Sequence, residues 1–367
     1  MGEVTGKRIN NMAKLSEEQV MLRDMAQTWT RNESPYGAWR KVRDAGAAAG
    51  FDAGVYAKMA EMGWTGIVVP EAQGGSDFGW MSLGLVVQGI SRTLTASPLI
   101  PSSLAAAAIS MGGSDTQKAK WLPGIADGSV IGTLAVDEGP RHGGALATSV
   151  TDSKLSGTKA FVAEGDSAQL FIVAAQDGVY LVDGSDAGVS RSRRHMVDFR
   201  SHAFVSFDGA AAEKLEHGGD DLLDQLIARA RIMTACEMFG MANEAFDVTL
   251  AYLKQRVQFN QVLATFQALQ HRMANLFSDL EITRSAIESA LVALDSGADA
   301  RLSGILAKTR ANDTLHGMSR EAIQLHGGIG MTDEYDIGFV LKRARPLEAA
   351  WGNSAYLRDQ FARMNGY

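Results

Sequence analysis

A helical run that meets three glycines in four residues is where this sequence is best equipped for chemistry. Arg320-Glu-Ala-Ile-Gln324-Leu-His326-Gly327-Gly328-Ile-Gly330 ends an amphipathic stretch in backbone without Cβ atoms. Glycines there stop a helix and let another group approach the main chain closely. The bare amides of such a turn suit a phosphate or pyrophosphate; a single glycine after a helix is also the ordinary C-cap. Upstream, Arg256-Val-Gln258-Phe259 and Phe266-Gln267 add a cation, side-chain amides and two aromatic rings. His142, His195, His202 and His326 qualify for catalysis by type alone. None has the spacing to Asp, Glu or Cys of a metal site, so no metal is expected. Ser102-Ser103 and Ser156-Gly157 lack the context of a nucleophile elbow.

The chain that must position these residues has 367 residues, enough for two or three domains and a large core. Hydrophobic residues make up 46% and charged residues 21%, the balance of a soluble globular protein. The net charge of −7 comes without a basic stripe, which argues against nucleic acid as a partner. The single cysteine, Cys236, rules out an intrachain disulfide and reads as a small buried residue in a reducing, cytoplasmic setting. No charged-then-apolar leader opens the chain and no apolar run spans a bilayer, so a membrane is not expected either. Residues 1 to about 14 read as a loose polar lead-in.

Three regions follow from periodicity. Residues 1–128 read as helices joined by Gly/Pro turns, with a helix start at Ser16, a helix near 54–62 and another over roughly 80–94. Residues 129–217 switch to short apolar or alternating runs, namely 130–136, 159–162, 170–173, 179–182 and 202–208. Clusters such as Gln176-Asp-Gly178 separate these strands as turns, which gives a small β-barrel or sandwich. Residues 218–367 return to the helical period, with one face carrying Leu222, Leu226 and Met233 and another Met273, Leu280 and Ile287.

The R-x-x-F, F-Q and Q-x-x-G-G-x-G elements at Arg256/Phe259, Phe266/Gln267 and Gln324/Gly327/Gly328/Gly330 resemble the C-terminal domain of the acyl-CoA dehydrogenase family. The likeness extends to Gly63-Trp64-x-Gly66-Ile-Val-Val-Pro70-Glu71-Ala-Gln-Gly74-Gly75 and Lys120-Trp121-Leu122-Pro123, so it spans essentially the whole chain. It implies an α+β fold: an all-α N-terminal domain, a β middle domain and a C-terminal four-helix bundle. It also implies FAD as cofactor, an acyl-CoA thioester as substrate and an electron-transfer acceptor. Arg256, Phe259, Phe266, Gln267, Gln324, Gly327 and Gly328 would then hold the ADP half of FAD, reaching towards a neighbouring subunit.

The resemblance also marks what is missing. The family's glutamate base lies 23 residues beyond the second glycine, which is Trp351 here, within Ala350-Trp351-Gly352-Asn353-Ser354. The alternative position, on the helix that opens the C-terminal domain, is Ala230. Glu237 and Glu348 are substitutes by proximity only, and each reads first as an ion-paired helix carboxylate. In the middle domain, Ala135-Val-Asp137-Glu138-Gly139-Pro-Arg-His-Gly143-Gly144 keeps a glutamate but has lost the threonine and serine hydroxyls. Phe161 replaces the ring-stacking tryptophan, and Ala163 the hydroxyl that would bond the flavin. The resemblance therefore implies a subunit of a hetero-oligomeric α2β2 dehydrogenase that leaves catalysis to a homologous partner. Two alternatives stand beside it: a self-sufficient homo-oligomeric FAD enzyme with an unrecognised base, and a non-redox binding or scaffold protein of the same fold.

Overall fold

The computed structural model describes residues 14–46, 49–217, 219 and 221–367. Nearly all of the expected polar lead-in, residues 1–13, lies outside them. The helical N-terminal region consists of α1 (Glu17–Glu33), α2 (Tyr36–Asp44), α3 (Ala53–Glu61), α4 (Gly79–Ser91), α5 (Leu99–Gly112) and α6 (Asp115–Ala126). Ser16 opens α1 with a capping box. Its hydroxyl accepts the Gln19 amide at 3.2 Å, while the Gln19 side chain accepts the Ser16 amide at 3.1 Å. Helices α4 and α5 are buried almost throughout, so they form the inner layer against the rest of the molecule.

Seven strands follow: β1 (Gly132–Ala135), β2 (Ser149–Thr151), β3 (Lys154–Ala163), β4 (Leu170–Ala175), β5 (Gly178–Asp183), β6 (Val189–His195) and β7 (Ser201–Lys214). Their order is β1-β4-β5-β7-β3-β2, with β6 also on β7. Only β1 and β4 run parallel; the other pairs are antiparallel. The long β7 belongs to both halves, pairing its end with β5 and its start with β3 and β6, which bends the sheet around a core. Every residue of β4 is buried, as expected for a strand covered on both faces. Strand β6 escaped the sequence reading because Ser190-Arg-Ser-Arg-Arg194 carries no apolar alternation. It is held by main-chain pairing to β7.

The C-terminal region has α7 (Leu222–Gln255), the hairpin β8 (Val257–Gln258) and β9 (Gln261–Val262), then α8 (Gln267–Asp295), α9 (Arg301–His326), α10 (Ile337–Ala349) and α11 (Ser354–Met364). Helix α10 was not read from the sequence; Pro346 lies inside it and its Ile337, Phe339, Val340 and Ala344 are buried. The 347–352 segment that follows is clamped from two helices. Arg231 of α7 donates to the Trp351 carbonyl at 3.0 Å, and Lys308 and Asn312 of α9 donate to the carbonyls of Leu347 and Gly352. The expected helical, β and helical regions are all present, the middle one as a mixed sheet. Among the described residues no helix is long and apolar enough to cross a membrane.

Candidate functional site

The motif residues and the cavity of this chain lie in different places. Helix α7 runs out into the β8–β9 hairpin, whose two-residue turn is Phe259-Asn260, with φ of 54° and 62°. Both values are positive, as a tight hairpin turn of this kind requires. A phenylalanine in that conformation is an outlier, and this one is 82% exposed. Its ring meets Phe266 edge-on at 6.1 Å, and the Leu263 amide bonds the Arg256 carbonyl at 2.9 Å, so Arg256 through Gln267 form one unit.

The glycine turn adjoins it. Tyr252, one turn before Arg256, donates to the His326 carbonyl at 3.2 Å and packs its ring against the imidazole at 4.4 Å. Tyr335 packs against both rings, 4.8 Å from the imidazole and 6.3 Å from Tyr252. Gly327 has φ of 67°, which accounts for a glycine at that position. Gly328 has no such reason, and a Cβ on either residue would meet nothing within 4 Å. Gln324, Gly327, Gly328, Arg256 and Gln267 are exposed. These residues therefore sit at one end of the bundle, open to solvent, and none of them lines the cavity.

The cavity, of about 360 Å³, lies between α4, α5, the sheet, α7 and α10. Its rim holds the positions where flavin and thioester contacts would be expected. A bulge in β3 between Lys159 and Val162 puts Phe161 at φ 51° and leaves it 41% exposed, edge-on to Phe204 at 5.0 Å. Ala163 offers no side-chain donor there.

Glu138 is committed elsewhere: its carboxylate accepts from the Ala147 amide, the Thr148 amide and hydroxyl, and Lys159 Nζ at 2.7 Å. Burial opposes its ionisation, yet those bonds hold it down at about 2. It is a clasp for the 137–148 loop.

Asp137, in the place of a hydroxyl, pairs with His142 Nδ1 at 3.0 Å. His142 in turn meets the Trp351 and Tyr356 rings edge-on at 5.7 and 5.6 Å. Trp351, at φ 59°, the residue at the first position where the resemblance led a base to be expected, forms part of an aromatic cluster with His142. Ala230, at the second, is fully buried. The Asp137–His142 pair was missed from sequence; two residue types five apart in a loop carry no pattern, and only the folded loop brings them together.

Neither substitute carboxylate is free. Glu237 borders the cavity, but Arg343 Nε and Nη2 both bond its Oε1, at 2.9 and 2.7 Å, and Arg343 Nη1 reaches Asp198 at 2.7 Å. Glu348 is outside the cavity lining and pairs with Arg345 at 2.7 Å and His316 at 3.3 Å. His195 ends the exposed strand β6, and His202 is in the cavity wall. Cys236 is fully buried, and burial pushes its thiol up to about 12. Among the described residues no group of three or more His, Cys, Asp or Glu could hold a metal ion.

Comparison with known proteins agrees with this geometry. Residues 16–129 match the family model "Acyl-CoA dehydrogenase, N-terminal domain", and residues 217–365 match "Acyl-CoA dehydrogenase, C-terminal domain". The chain is 29% identical to the acyl-CoA dehydrogenase IpdE2 of Mycolicibacterium smegmatis, over 90% of this chain and 93% of that one. An acyl-CoA dehydrogenase of Bacillus subtilis is 27% identical over 94% and 97%. Among solved structures, a steroid ACAD, Tcur3481-Tcur3483, superimposes with a TM-score of 0.88 at 27% identity, covering 95% and 98%. The ChsE4-ChsE5 complex of Mycobacterium tuberculosis has a TM-score of 0.89 at 22% identity, covering 96% and 99%, and shares the fold. With both terminal domains matched and the motif residues gathered at one end of the bundle, the chain belongs to the acyl-CoA dehydrogenase family.

Proposed function

We propose that this chain is the base-deficient subunit of a hetero-oligomeric, FAD-dependent acyl-CoA dehydrogenase, with a homologous partner supplying the glutamate base and seating the flavin ring. The observation that carries this reading is the separation just described. The ADP-side residues fit the cofactor: Gly328 leaves open space over bare backbone, and Arg256 and Gln324 are exposed beside it. The cavity side does not fit the ring, because Trp351, His142 and Tyr356 cluster at the base position and Ala163 has no hydroxyl.

FAD, when bound, accepts the β-hydride of an acyl-CoA thioester while a carboxylate removes the α-proton. In this chain Arg256 would neutralise the pyrophosphate, and Gln324 with the amides of Gly327 and Gly328 would bond it. Excluding water and holding the α-proton acceptor fall to the partner.

Val257, Phe259, Ile329 and Met331 are exposed around the same elements, at 53%, 82%, 41% and 78%. An apolar surface of this kind suits a subunit contact, and a cytoplasmic α2β2 tetramer is the assembly proposed. The likeness to a steroid ACAD suggests the CoA thioester of a steroid or other bulky lipid side chain as substrate, with an electron-transfer protein as acceptor. A self-sufficient enzyme is disfavoured, since Glu237, the one substitute carboxylate at the cavity, is bound by Arg343. A non-redox scaffold gives no reason for an exposed Phe259 and a bare Gly328.

The test is FAD content of the co-purified complex after dialysis. One FAD for each pair of unlike chains is expected, and one for every chain would overturn the reading.

A further inference from the structure

The end of α7 and the end of α9 each carry part of the set assigned above to the ADP half of FAD, and one residue touches both. Arg256 follows α7, and its amide donates to the Tyr252 carbonyl at 2.8 Å. The Tyr252 hydroxyl donates at 3.2 Å to the carbonyl of His326, the last residue of α9. The main chain of Tyr252 thus carries Arg256, and its side chain carries the glycine turn. A carbonyl at a helix C-terminus has no partner within its own helix, and this bond gives His326 one from α7.

The turn itself is folded back on α9. Gly327 donates its amide to the Gln324 carbonyl. Gly330 is buried, and a Cβ there would come within 2.9 Å of the Ile323 carbonyl and 3.1 Å of His326 Cβ. His326 is buried as well, and its Nδ1 lies 2.7 Å from the Ala322 carbonyl. A carbonyl only accepts, so that nitrogen carries the proton. The Tyr252 ring lies 4.4 Å from this fixed imidazole, tilted by 31°. Tyr252 therefore reaches the turn through a stiff side chain seated on a buried ring.

We propose that Tyr252 is a positioning residue for cofactor binding: it sets the Arg256 guanidinium and the amides of Gly327 and Gly328 at one spacing, so that both meet the same pyrophosphate. This rests on the reading that those residues bind the ADP half of FAD. Tyr252 acts from behind them, because its hydroxyl proton is spent on the His326 carbonyl. A pyrophosphate bridges a cation and a pair of amides only when the gap between them matches its length. Sets of this kind are held in place by hydrogen bonds behind the contacting groups. The Leu263 amide bonds the Arg256 carbonyl and Phe259 meets Phe266, so the Tyr252 bond also places the whole Arg256–Gln267 unit against the turn.

The experiment is titration of FAD into the flavin-stripped, co-purified complex, read by flavin fluorescence, for wild type, Tyr252→Phe, Arg256→Ala and the double variant. Tyr252→Phe keeps the ring and loses the bond. It should weaken FAD binding by about threefold to tenfold, the worth of one hydrogen bond. Arg256→Ala should weaken it roughly ten- to a hundredfold. Because Tyr252 acts through Arg256, the double variant should bind about as weakly as Arg256→Ala alone, a non-additive pair. Additive losses would overturn the proposal. So would a lower Tm of the flavin-free Tyr252→Phe complex with unchanged FAD affinity, the mark of a packing role alone. An unchanged affinity in Tyr252→Phe beside a weakened Arg256→Ala overturns this proposal and leaves the ADP-side reading standing. An unchanged affinity in Arg256→Ala overturns that reading, and this proposal with it.

Discussion

The end of the bundle and the cavity differ in how their side chains are partnered. At the bundle end, Phe259 is mostly exposed in a strained turn, with only Phe266 against its ring, and Gly328 is bare where a side chain would fit. In the cavity, side chains face one another. Asp137 holds His142, His142 packs on Trp351, and Arg343 holds Glu237. On the proposed reading a surface that meets a partner needs no internal support, whereas the charged side chains Asp137 and Glu237 at the cavity are paired within the chain. Buried polar groups must be paired by something.

The largest effect expected from this difference is on turnover. The chain alone should dehydrogenate acyl-CoA substrates at least about a thousandfold more slowly than the complex, since base and positioning act together. Stopped-flow or dye-linked assays of both preparations check it, and robust turnover by the isolated chain would break the comparison. Trp351→Glu combined with Asn353→Thr should not restore a rate, because Asp137 and Ala163 still lack the ring contacts. A measurable rate would show that the middle-domain departures matter less than the base.

Cofactor retention comes next. Arg256→Ala removes a charge-assisted contact of about 1.5–3 kcal/mol, roughly ten- to a hundredfold in affinity for FAD. Gly327→Val should also lower occupancy, because φ 67° disfavours a β-branched residue. Flavin absorbance per tetramer after dialysis reads both. Unchanged occupancy in each would reduce these residues to a helix stop and a solvent-exposed arginine.

A buried lysine tests how firmly the base segment is fixed. Lys308 is fully buried, and burial pushes its ammonium down to about 7 while it bonds Asn312 Oδ1 at 2.5 Å and the Leu347 carbonyl at 2.9 Å. Lys308→Ala strands both acceptors and should cost about 2–3 kcal/mol in denaturant unfolding.

The smallest effect is a pH slope. Glu164 has a folded pKa of about 8 and an unfolded value near ~4.3. Between those limits the folded state binds the extra proton, so this group's contribution to stability falls as pH rises from about 4 to 8. Glu164→Gln should flatten the decline in Tm over that window. An unchanged slope would mean that Arg200, Arg343 and Asp166 set the local charge differently from the arrangement described.

The family was legible in the sequence because its motifs rest on linear spacing, and the proposals of an ADP-side site and a missing base rest on the same spacing. The Gln324-to-Gly330 turn, the Arg256-to-Gln267 hairpin and the count from Gly328 to Trp351 need no third dimension. Helix and strand identity followed where an apolar face or a continuous apolar run marks the element, as in α7 and β4. It failed where burial or charge breaks the pattern, as in α10 with its internal Pro346 and in β6 with its arginines. Three matters only the tertiary structure decided, because each joins residues far apart in sequence or unmarked by pattern. These are the pairing of Asp137 with His142 against Trp351, the capture of Glu237 by Arg343 across 106 positions, and the hold of Arg231 on the Trp351 carbonyl. Spacing records what a chain presents along its own length; which polar groups are left without a partner emerges only when distant segments bury one another.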